Sequence, residues 1–196
     1  MKIALIRHGP TGWNEQGRIQ GQLDMPLSAA GCAKMALLAP PKEFEKARAF
    51  SSPLGRAIET AKLLGLDPAI DARLIEHHWG RWQAMTREEI LARDGEDAFE
   101  RAGRGSDFTP AGGERTSDLI ARVRSFLLDV GAENSDAIAI THRGVLRSGY
   151  VLATGWQMTT PMPDELDLTK ALVLEVNGAA IKIAALNVLL PSKATL

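Results

Sequence analysis

The chain has 196 residues, of which 45% are hydrophobic and 24% charged, and its formal net charge is −1 at pH 7. This balance gives no overall attraction to nucleic acid or to an anionic membrane, and no run approaches the ~18 apolar residues of a membrane-spanning helix. The single cysteine, Cys32, excludes an internal disulfide and a cysteine-cluster metal site. The length is typical of one domain and no segment resembles a signal peptide, so we expect a cytoplasmic protein with one domain, residues 1–196.

The first half of the chain predicts strands and helices in alternation. Short apolar runs are typical of buried strands, and each of the following helices starts at a serine able to cap it. Ser52 precedes Pro53, which fits the first helical position because proline lacks the N–H that a helix start leaves unpaired. The predicted elements are a strand at residues 3–6, a helix at 28–38, a strand at 47–51 and a helix at 52–64.

The second half begins with a charged, glycine-rich segment and then returns to regular alternation. Residues 85–113 carry short helical patches without a strand pattern, and we interpret them as a lid-like insertion. Asn177 and Gly178 form a strong two-residue hairpin signal. The remaining predicted elements are a helix from residue 115 to about 130, a strand at 137–140, a helix at 144–153, hairpin strands at 171–176 and 180–186, and a loose tail after residue 191.

The alternation of strands and helices predicts an α/β fold, because such chains form a mostly parallel sheet covered by helices. The closing hairpin adds an antiparallel pair at one edge. We therefore predict a three-layer sandwich with a mostly parallel central sheet, helices on both faces and an antiparallel edge hairpin.

Two histidines directly follow predicted strands. His8 follows the first strand and His142 follows the strand at 137–140, so both imidazoles enter one crevice if these strands are parallel neighbours. Arg7 adjoins the first histidine, and Arg56 lies in the first turn of a predicted helix. The planar fork of arginine donates two parallel hydrogen bonds to phosphate oxygens. Together these residues predict a site for a tetrahedral dianion.

The same groups predict phosphoryl transfer without a metal. A neutral imidazole attacks phosphorus in line, while cations stabilise the charge on the equatorial oxygens. The leaving oxygen needs an acid, for which Glu76 is the candidate. Taken singly, each of the two histidines is more simply interpreted as a structural core residue. His77 and His78 adjoin the acid, but neighbouring residues of a strand face opposite sides and do not readily chelate one metal ion.

Five ordered segments carry a resemblance to a known family. They are RHGPTGWN at residues 7–14, RIQGQLDMPLS at 18–28, SSPLGRAIETA at 51–61, LIEHHWGRW at 74–82 and THRG at 141–144. In this order and spacing they resemble the motifs of the histidine phosphatase superfamily, which includes the cofactor-dependent phosphoglycerate mutases. The resemblance covers most of the chain, and it implies a phosphoglycerate mutase-like fold and a histidine acid-type phosphatase.

The resemblance also implies a role for each matched residue. His8 is expected to be the nucleophile that forms a phosphohistidine, and Glu76 the acid and then the base for the attacking water. Arg7, Arg56 and His142 are expected to hold the transferring phosphoryl group. The residues expected to bind substrate around this group are Asn14, Gln20 and Gly21.

The chain departs from the family pattern at three positions. Pro10 stands where the family often has glutamate, which stiffens the turn without removing a catalytic group. Arg115 stands at the serine of a P-x-G-E-S segment. Arg143 replaces a glycine beside His142, and its side chain either adds a third cation at the pocket rim or points into solvent. We count it as a candidate substrate-binding residue.

The leading hypothesis is a metal-independent phosphomonoester hydrolase that acts on a small phosphorylated metabolite and needs no cofactor. Only 65 residues separate Glu76 from His142, fewer than in the mutases that the chain resembles. We therefore expect the intermediate to be open to water. The short chain suits small-molecule clades of the family, such as α-ribazole phosphatase and broad-specificity phosphatases.

Three other functions stay open on the same fold. They are a cofactor-dependent phosphoglycerate mutase, a phosphoprotein phosphatase and a non-catalytic phosphate-binding protein. We expect neither a nucleic-acid nor a membrane partner, and a monomer or homodimer.

Overall fold

The computed structural model describes residues 1–101, 105–133, 135–161 and 166–195, and within these ranges six strands form one sheet in the order β3-β2-β4-β1-β5-β6. The strands are β1 (Lys2–Arg7), β2 (Arg48–Ser51), β3 (Ala69–Ile70), β4 (Ala137–Thr141), β5 (Ala171–Asn177) and β6 (Ala180–Val188). The helices are α1 (Gly12–Glu15), α2 (Ala29–Ala36), α3 (Gly55–Leu63), α4 (Arg87–Asp94), α5 (Glu96–Arg101), α6 (Thr116–Gly131) and α7 (Arg143–Thr154).

The sheet is mostly parallel, with an antiparallel pair at one edge. Strands β3, β2, β4 and β1 run parallel to one another, whereas β5 is antiparallel to both β1 and β6. The hairpin between β5 and β6 turns at Gly178, whose φ of +56° lies in the left-handed region that glycine adopts readily. The predicted α/β fold with an antiparallel edge hairpin is confirmed.

Helices cover both faces of the sheet. Alternate residues of β1 point to opposite sides, as the two-residue period of a strand requires. Ile3 and Leu5 belong to a core formed with α6 and α7, whereas Ala4 and Ile6 belong to a core formed with α2 and α3. The predicted three-layer arrangement therefore follows from the alternation within one buried strand. No helix in the described ranges is long and apolar enough to cross a membrane.

The two histidine-bearing strands are direct neighbours. In the β1–β4 register Arg7 is opposite Thr141, and the N–H of His8 donates to the carbonyl of Thr141 over 2.9 Å. His8 and His142 consequently leave the sheet at the same level. The condition for a common crevice, that β1 and β4 are parallel neighbours, is therefore met.

The predicted start of the third helix at Ser52 is wrong, because α3 begins at Gly55. The hydroxyl of Ser52 accepts a hydrogen bond from the N–H of Leu54 at 3.3 Å and contacts His142 Nε2 at 2.7 Å. The N–H of Gly55 donates instead to the Asp24 carboxylate at 2.6 Å. A carboxylate distant in sequence therefore caps this helix.

The prediction of a loose tail after Pro191 is also wrong for the described residues. The Ala39 N–H donates to the carbonyl of Pro191 at 2.9 Å, and the Lys193 N–H donates to the carbonyl of Leu37 at 2.8 Å. A 3-10 turn at Lys193–Thr195 follows. Backbone hydrogen bonds to the end of α2 fix the tail. The two-residue strand β3 was not predicted, since so short a segment has no periodicity to detect.

The proposed lid-like insertion, residues 85–113, is described apart from residues 102–104. Its helical patches form α4 and α5, and the described part contains no strand, as predicted. An ion pair of 2.9 Å between Arg18 and Glu89 ties α4 to the loop after α1. The Trp82 indole also donates to Asp94 at the end of α4. These contacts place α4 beside the segments that carry the predicted substrate-binding residues.

Candidate active site

A cleft of about 590 Å³ is lined by residues that follow β1 and β4. Almost all of the predicted site residues line it: Arg7, His8, Asn14, Gln20, Gly21, Arg56, Glu76 and Arg143. The exception is His142, which is completely buried behind the cleft surface and contacts the His8 ring at a centroid distance of 5.1 Å. The structure thus brings together residues from segments spread over more than 130 positions of the chain.

The ring of His8 is held as one tautomer. Its Nδ1 lies 2.6 Å from the carbonyl oxygen of Gly9, which can only accept, so Nδ1 carries the proton. Nε2 is therefore unprotonated, and its lone pair accepts the Arg56 Nε–H at 3.3 Å. Burial, followed by the charges of Arg56 and Arg7, lowers the pKa of His8 to about 3. The imidazole is neutral at pH 7, as a nucleophilic nitrogen must be.

His142 is also neutral. Burial, followed by the charges of His8 and Arg56, lowers the pKa of His142 well below its ordinary value. Its Nε2 contacts the Ser52 hydroxyl, which already accepts the Leu54 N–H and so has its own proton available for the ring. We infer that Nε2 accepts and Nδ1 carries the proton. Nδ1 is buried and has no hydrogen-bond partner within the described part of the chain.

Arg56 is 1% exposed and rigidly oriented. Its two terminal nitrogens donate to the carbonyls of Leu23 at 2.8 Å and Gly21 at 2.7 Å. Asp24, 3.6 Å from the guanidinium, supplies a partial counter-charge. The predicted cation is present, and the loop that contains Gly21 aims it at His8.

Arg7 completes the cationic floor of the cleft. Burial lowers the pKa of Arg7, while Glu76 raises it and Arg143 lowers it. Its Nε is buried and, like Nδ1 of His142, has no hydrogen-bond partner among the residues described. Leaving such donors unsatisfied costs about 1–3 kcal/mol each, and an anion bound beside His8 would remove that cost.

Glu76 is held at the first turn of α7. Its Oε1 accepts hydrogen bonds from the N–H groups of His77 at 2.8 Å and Gly144 at 3.0 Å. A Cβ on Gly144 would lie only 2.4 Å from Oε1, so a side chain at this position would displace the acid. Oε2 makes no hydrogen bond within the described ranges and can exchange a proton with a ligand.

A half-buried ion pair between Arg122 and Glu114 supports the Glu76 loop. Arg122 donates to both carboxylate oxygens of Glu114, at 2.7 and 3.0 Å, and to the backbone carbonyls of Arg73 and Glu76 at 2.6 and 3.2 Å. Although burial by itself raises the pKa of Glu114, the hydrogen bonds and charge of Arg122 lower it below its ordinary value. Helix α6 thereby fixes the backbone that carries the acid.

Asn14 and Gln20 lie where the resemblance places them. The Asn14 Oδ1 accepts the backbone N–H and the hydroxyl of Thr11, both at 3.1 Å, so its NH₂ group is left as a donor for the cleft. Oε1 of Gln20 is buried without a partner among the described residues. Both side chains are polar groups available to a ligand.

Several residues of the site escaped the sequence analysis. Ser52 was predicted only as a helix cap, and its contact with His142 spans 90 positions, for which the sequence carries no signal. Arg143 lines the cleft, as one of its two interpretations required, and Arg147 lines it one helical turn later. The four-residue spacing of these arginines was a readable signal. Arg18 and Arg87 line the cleft as well.

One ring nitrogen of each of His77 and His78 contacts the backbone. His77 Nε2 lies 2.8 Å from the Glu114 carbonyl, and His78 Nδ1 accepts the Gly80 N–H at 3.3 Å. Within the described ranges, no group of three or more His, Cys, Asp or Glu residues is placed to hold a metal ion.

Comparison with known proteins places this site in a family. The model of the histidine phosphatase superfamily (branch 1) matches residues 3–189. Phosphoserine phosphatase 1 of Hydrogenobacter thermophilus is 32% identical over 162 residues, a match that covers 79% of this chain and 77% of that protein. Glucosyl-3-phosphoglycerate phosphatase of Mycobacterium tuberculosis is 32% identical over 162 residues, with 74% and 71% covered.

The solved structures agree with the sequence comparison. Bacillus stearothermophilus YhfR superposes with a TM-score of 0.84 at 28% identity, and the match covers 96% of this chain and 97% of that one. The similarity therefore extends over nearly the whole fold, including the strands that carry both histidines.

Proposed function

This chain belongs to the histidine phosphatase superfamily and is a phosphatase, and we propose that it hydrolyses the phosphate monoester of a small metabolite through a phosphohistidine, without a metal. One observation carries the proposal. The neutral His8 directs the lone pair of Nε2 toward Arg56, and two buried donors beside it, on Arg7 and His142, have no partner in the described part of the chain.

In the first step, His8 Nε2 attacks phosphorus in line with the ester oxygen. The N–P bond forms as the P–O bond breaks, and Glu76 protonates the departing alkoxide. Arg7, Arg56 and the Nδ1–H of His142 stabilise the charge on the equatorial oxygens, which is the main requirement of phosphoryl transfer. The two arginines and the neutral His142 donor supply the stabilisation for which other phosphatases use metal ions.

In the second step, water attacks the phosphohistidine. Glu76, now a carboxylate, removes the proton of the water, and the N–P bond breaks to release inorganic phosphate. The imidazole returns neutral, with its proton still on Nδ1 beside the Gly9 carbonyl. Glu76 thus donates a proton in the first step and accepts one in the second, as expected when the two steps are chemically the reverse of each other.

The dimensions of the site support a small substrate. A cleft of about 590 Å³ is within the range of small-molecule sites. Its lining includes Trp79, Leu119 and Met158, which offer an apolar surface beside the charged floor. We propose hydrolysis rather than mutase action because the short interval between Glu76 and His142 leaves water access to the intermediate.

The proposal predicts turnover of p-nitrophenyl phosphate in the presence of a chelator, and its loss in His8→Ala. A rapid quench with ³²P-labelled substrate should trap a label that is labile in acid and stable in base, as expected of a phosphohistidine. An acid-stable label would contradict the mechanism. A folded protein that releases no phosphate from any monoester would favour the phosphate-binding alternative, and conversion of 3-phosphoglycerate to 2-phosphoglycerate would favour the mutase.

A further inference from the structure

The cleft carries more positive charge than one phosphate ester requires. Its described lining contains six arginines and a single carboxylate, Glu76. Two of the arginines, Arg7 and Arg56, lie beside His8, where the reacting phosphoryl group is proposed to bind. The four that remain are Arg18, Arg87, Arg143 and Arg147.

Arg143 and Arg147 stand in an electrostatically unfavourable position. They are four residues apart on α7, so their side chains lie on the same face of the helix, and like charges at this spacing repel each other. Both also lie in the first half of the helix, whose N-terminal end carries the positive pole of the helix dipole. Burial, followed by the charge of Arg143, lowers the pKa of Arg147, while the charge of Glu76 raises it.

No carboxylate compensates Arg143. Its side chain is exposed and makes no hydrogen bond or ion pair with the residues that the structure describes, whereas Arg18 in the same cleft is paired with Glu89 at 2.9 Å. The guanidinium of Arg147 lies 5.6 Å from the centre of the Trp156 ring, which limits its movement. Two cations are thus presented to the cleft at the mouth of the site.

We propose that Arg143 and Arg147 bind a second anionic group of the substrate, a carboxylate or a second phosphate. The substrates would then be small phosphate monoesters with two anionic groups, one at His8 and the other at α7. This inference rests on the proposed function. Arginine recognises carboxylate and phosphate oxygens with the same pair of parallel hydrogen bonds, so both groups fit.

The rival explanation is that Arg143 only strengthens the hold on the reacting phosphoryl group. In that case Arg143 would raise kcat/KM equally for every phosphate monoester. A substrate pair that differs only in the second anionic group separates the two explanations. 3-Phosphoglycerate and glycerol 3-phosphate differ by a carboxylate against a hydroxymethyl group, and fructose 1,6-bisphosphate and fructose 6-phosphate differ by a second phosphate.

The experiment measures kcat/KM for phosphate release from both pairs. We expect the wild-type protein to prefer the doubly anionic member of at least one pair by about tenfold or more, the size of a charged hydrogen bond. Arg143→Gln should reduce that ratio by about tenfold. Arg124→Gln, which changes an exposed arginine of α6 outside the cleft, should leave the ratio unchanged. The inference would be overturned if the wild-type protein had equal kcat/KM values for the two members of each pair. It would also be overturned if Arg143→Gln lowered kcat/KM equally for both members.

Binding to His8→Ala separates this inference from the proposed function. Calorimetry of the same compounds measures selectivity without turnover, and His8→Asn replaces the alanine variant if that variant does not fold. If the wild-type protein releases no phosphate while the variant still binds the doubly anionic compounds more tightly, the proposed function is wrong and the second anion site stands. Equal binding of both members of each pair overturns the second anion site.

Discussion

The imidazole of His8 is neutral because of where the fold buries it. An exposed histidine has a pKa of about 6.5, so a third of such side chains would be protonated near pH 6.8. Here burial and two neighbouring guanidinium groups remove that protonated fraction. The Gly9 carbonyl then determines which nitrogen keeps the remaining proton. Nucleophilicity at Nε2 is consequently a property of the surroundings rather than of the residue type.

This burial predicts a loss of stability in mild acid. In the unfolded chain His8 and His142 take up protons near pH 6.5, whereas in the folded chain their pKa values are lower. The unfolded state therefore binds more protons, and the free energy of unfolding should fall between pH 7 and pH 5, by roughly 2 kcal/mol for His8 with a further fall from His142. Urea unfolding in phosphate-free buffer measures this fall.

His8→Asn provides the matched control for the pH dependence. The variant lacks one of the two imidazoles whose pKa is lowered, so its loss of stability between pH 7 and pH 5 should be smaller than that of the wild-type protein by roughly 2 kcal/mol. Parallel curves for the two proteins would show that His8 does not contribute.

Helices determine where the acid stands. The first turn of α7 binds the Glu76 carboxylate through the Gly144 N–H, and α6 binds the backbone of the same loop through Arg122. Both contacts come from outside the loop, and they add to the bond from the neighbouring His77 N–H and to the Gln22 amide, which donates to the Glu76 carbonyl at 3.0 Å. A loop with few internal hydrogen bonds can thus present a carboxylate at a defined place.

Arg122→Met tests the support from α6. The substitution leaves the largely buried Glu114 carboxylate without its partner, so we expect a loss of about 1–3 kcal/mol of stability. It should also lower kcat more than it raises KM, because it acts through the position of Glu76. The loss should be larger for an alkyl phosphate, whose leaving oxygen needs a proton, than for p-nitrophenyl phosphate.

The control for this prediction is Arg124→Met on the same helix, which changes an exposed arginine. It should leave both kcat and the melting temperature close to those of the wild-type protein. Equal losses on alkyl and nitrophenyl substrates in Arg122→Met would show that the ion pair supports the fold without positioning the acid.

The whole molecule is built from two cores on either side of one sheet. The C-terminal tail closes the core under α2 and α3, where Leu190 is 9% exposed and packs with Phe44 and Leu64. Beyond Leu190, the tail is joined to the rest mainly by backbone hydrogen bonds to Leu37 and Ala39, together with a bond from Lys193 Nζ to the Leu63 carbonyl. None of these residues lines the cleft.

Ending the chain after Leu190 therefore should affect stability rather than catalysis. Removing two or three hydrogen bonds costs about 1–3 kcal/mol, which corresponds to a fall of several degrees in Tm for a chain of this size. We expect kcat/KM at 25 °C to change less than twofold. A large loss of kcat/KM with an unchanged Tm would contradict this division between the tail and the site.

Local patterns in the sequence predict the architecture and most of the proposed chemistry. The apolar runs, the serine before α2 and the Asn177-Gly178 turn are local signals, and each acts on neighbouring residues through backbone geometry and hydrophobic periodicity. Because His8 and His142 directly follow two such runs, their common location follows once those strands pair. Five ordered motifs then identified the family, and the resemblance led to the proposed roles of His8 as nucleophile and Glu76 as acid.

The protonation states of these groups and the charge around them depend on the tertiary structure. The contact of Ser52 with His142, the cap of α3 by Asp24 and the support of Glu76 by Arg122 join residues that are 31 to 90 positions apart. The excess of arginine in the cleft is likewise visible only when α4 and α7 stand beside the nucleophile. Burial, pKa and charge balance depend on neighbours in space, which local patterns do not specify.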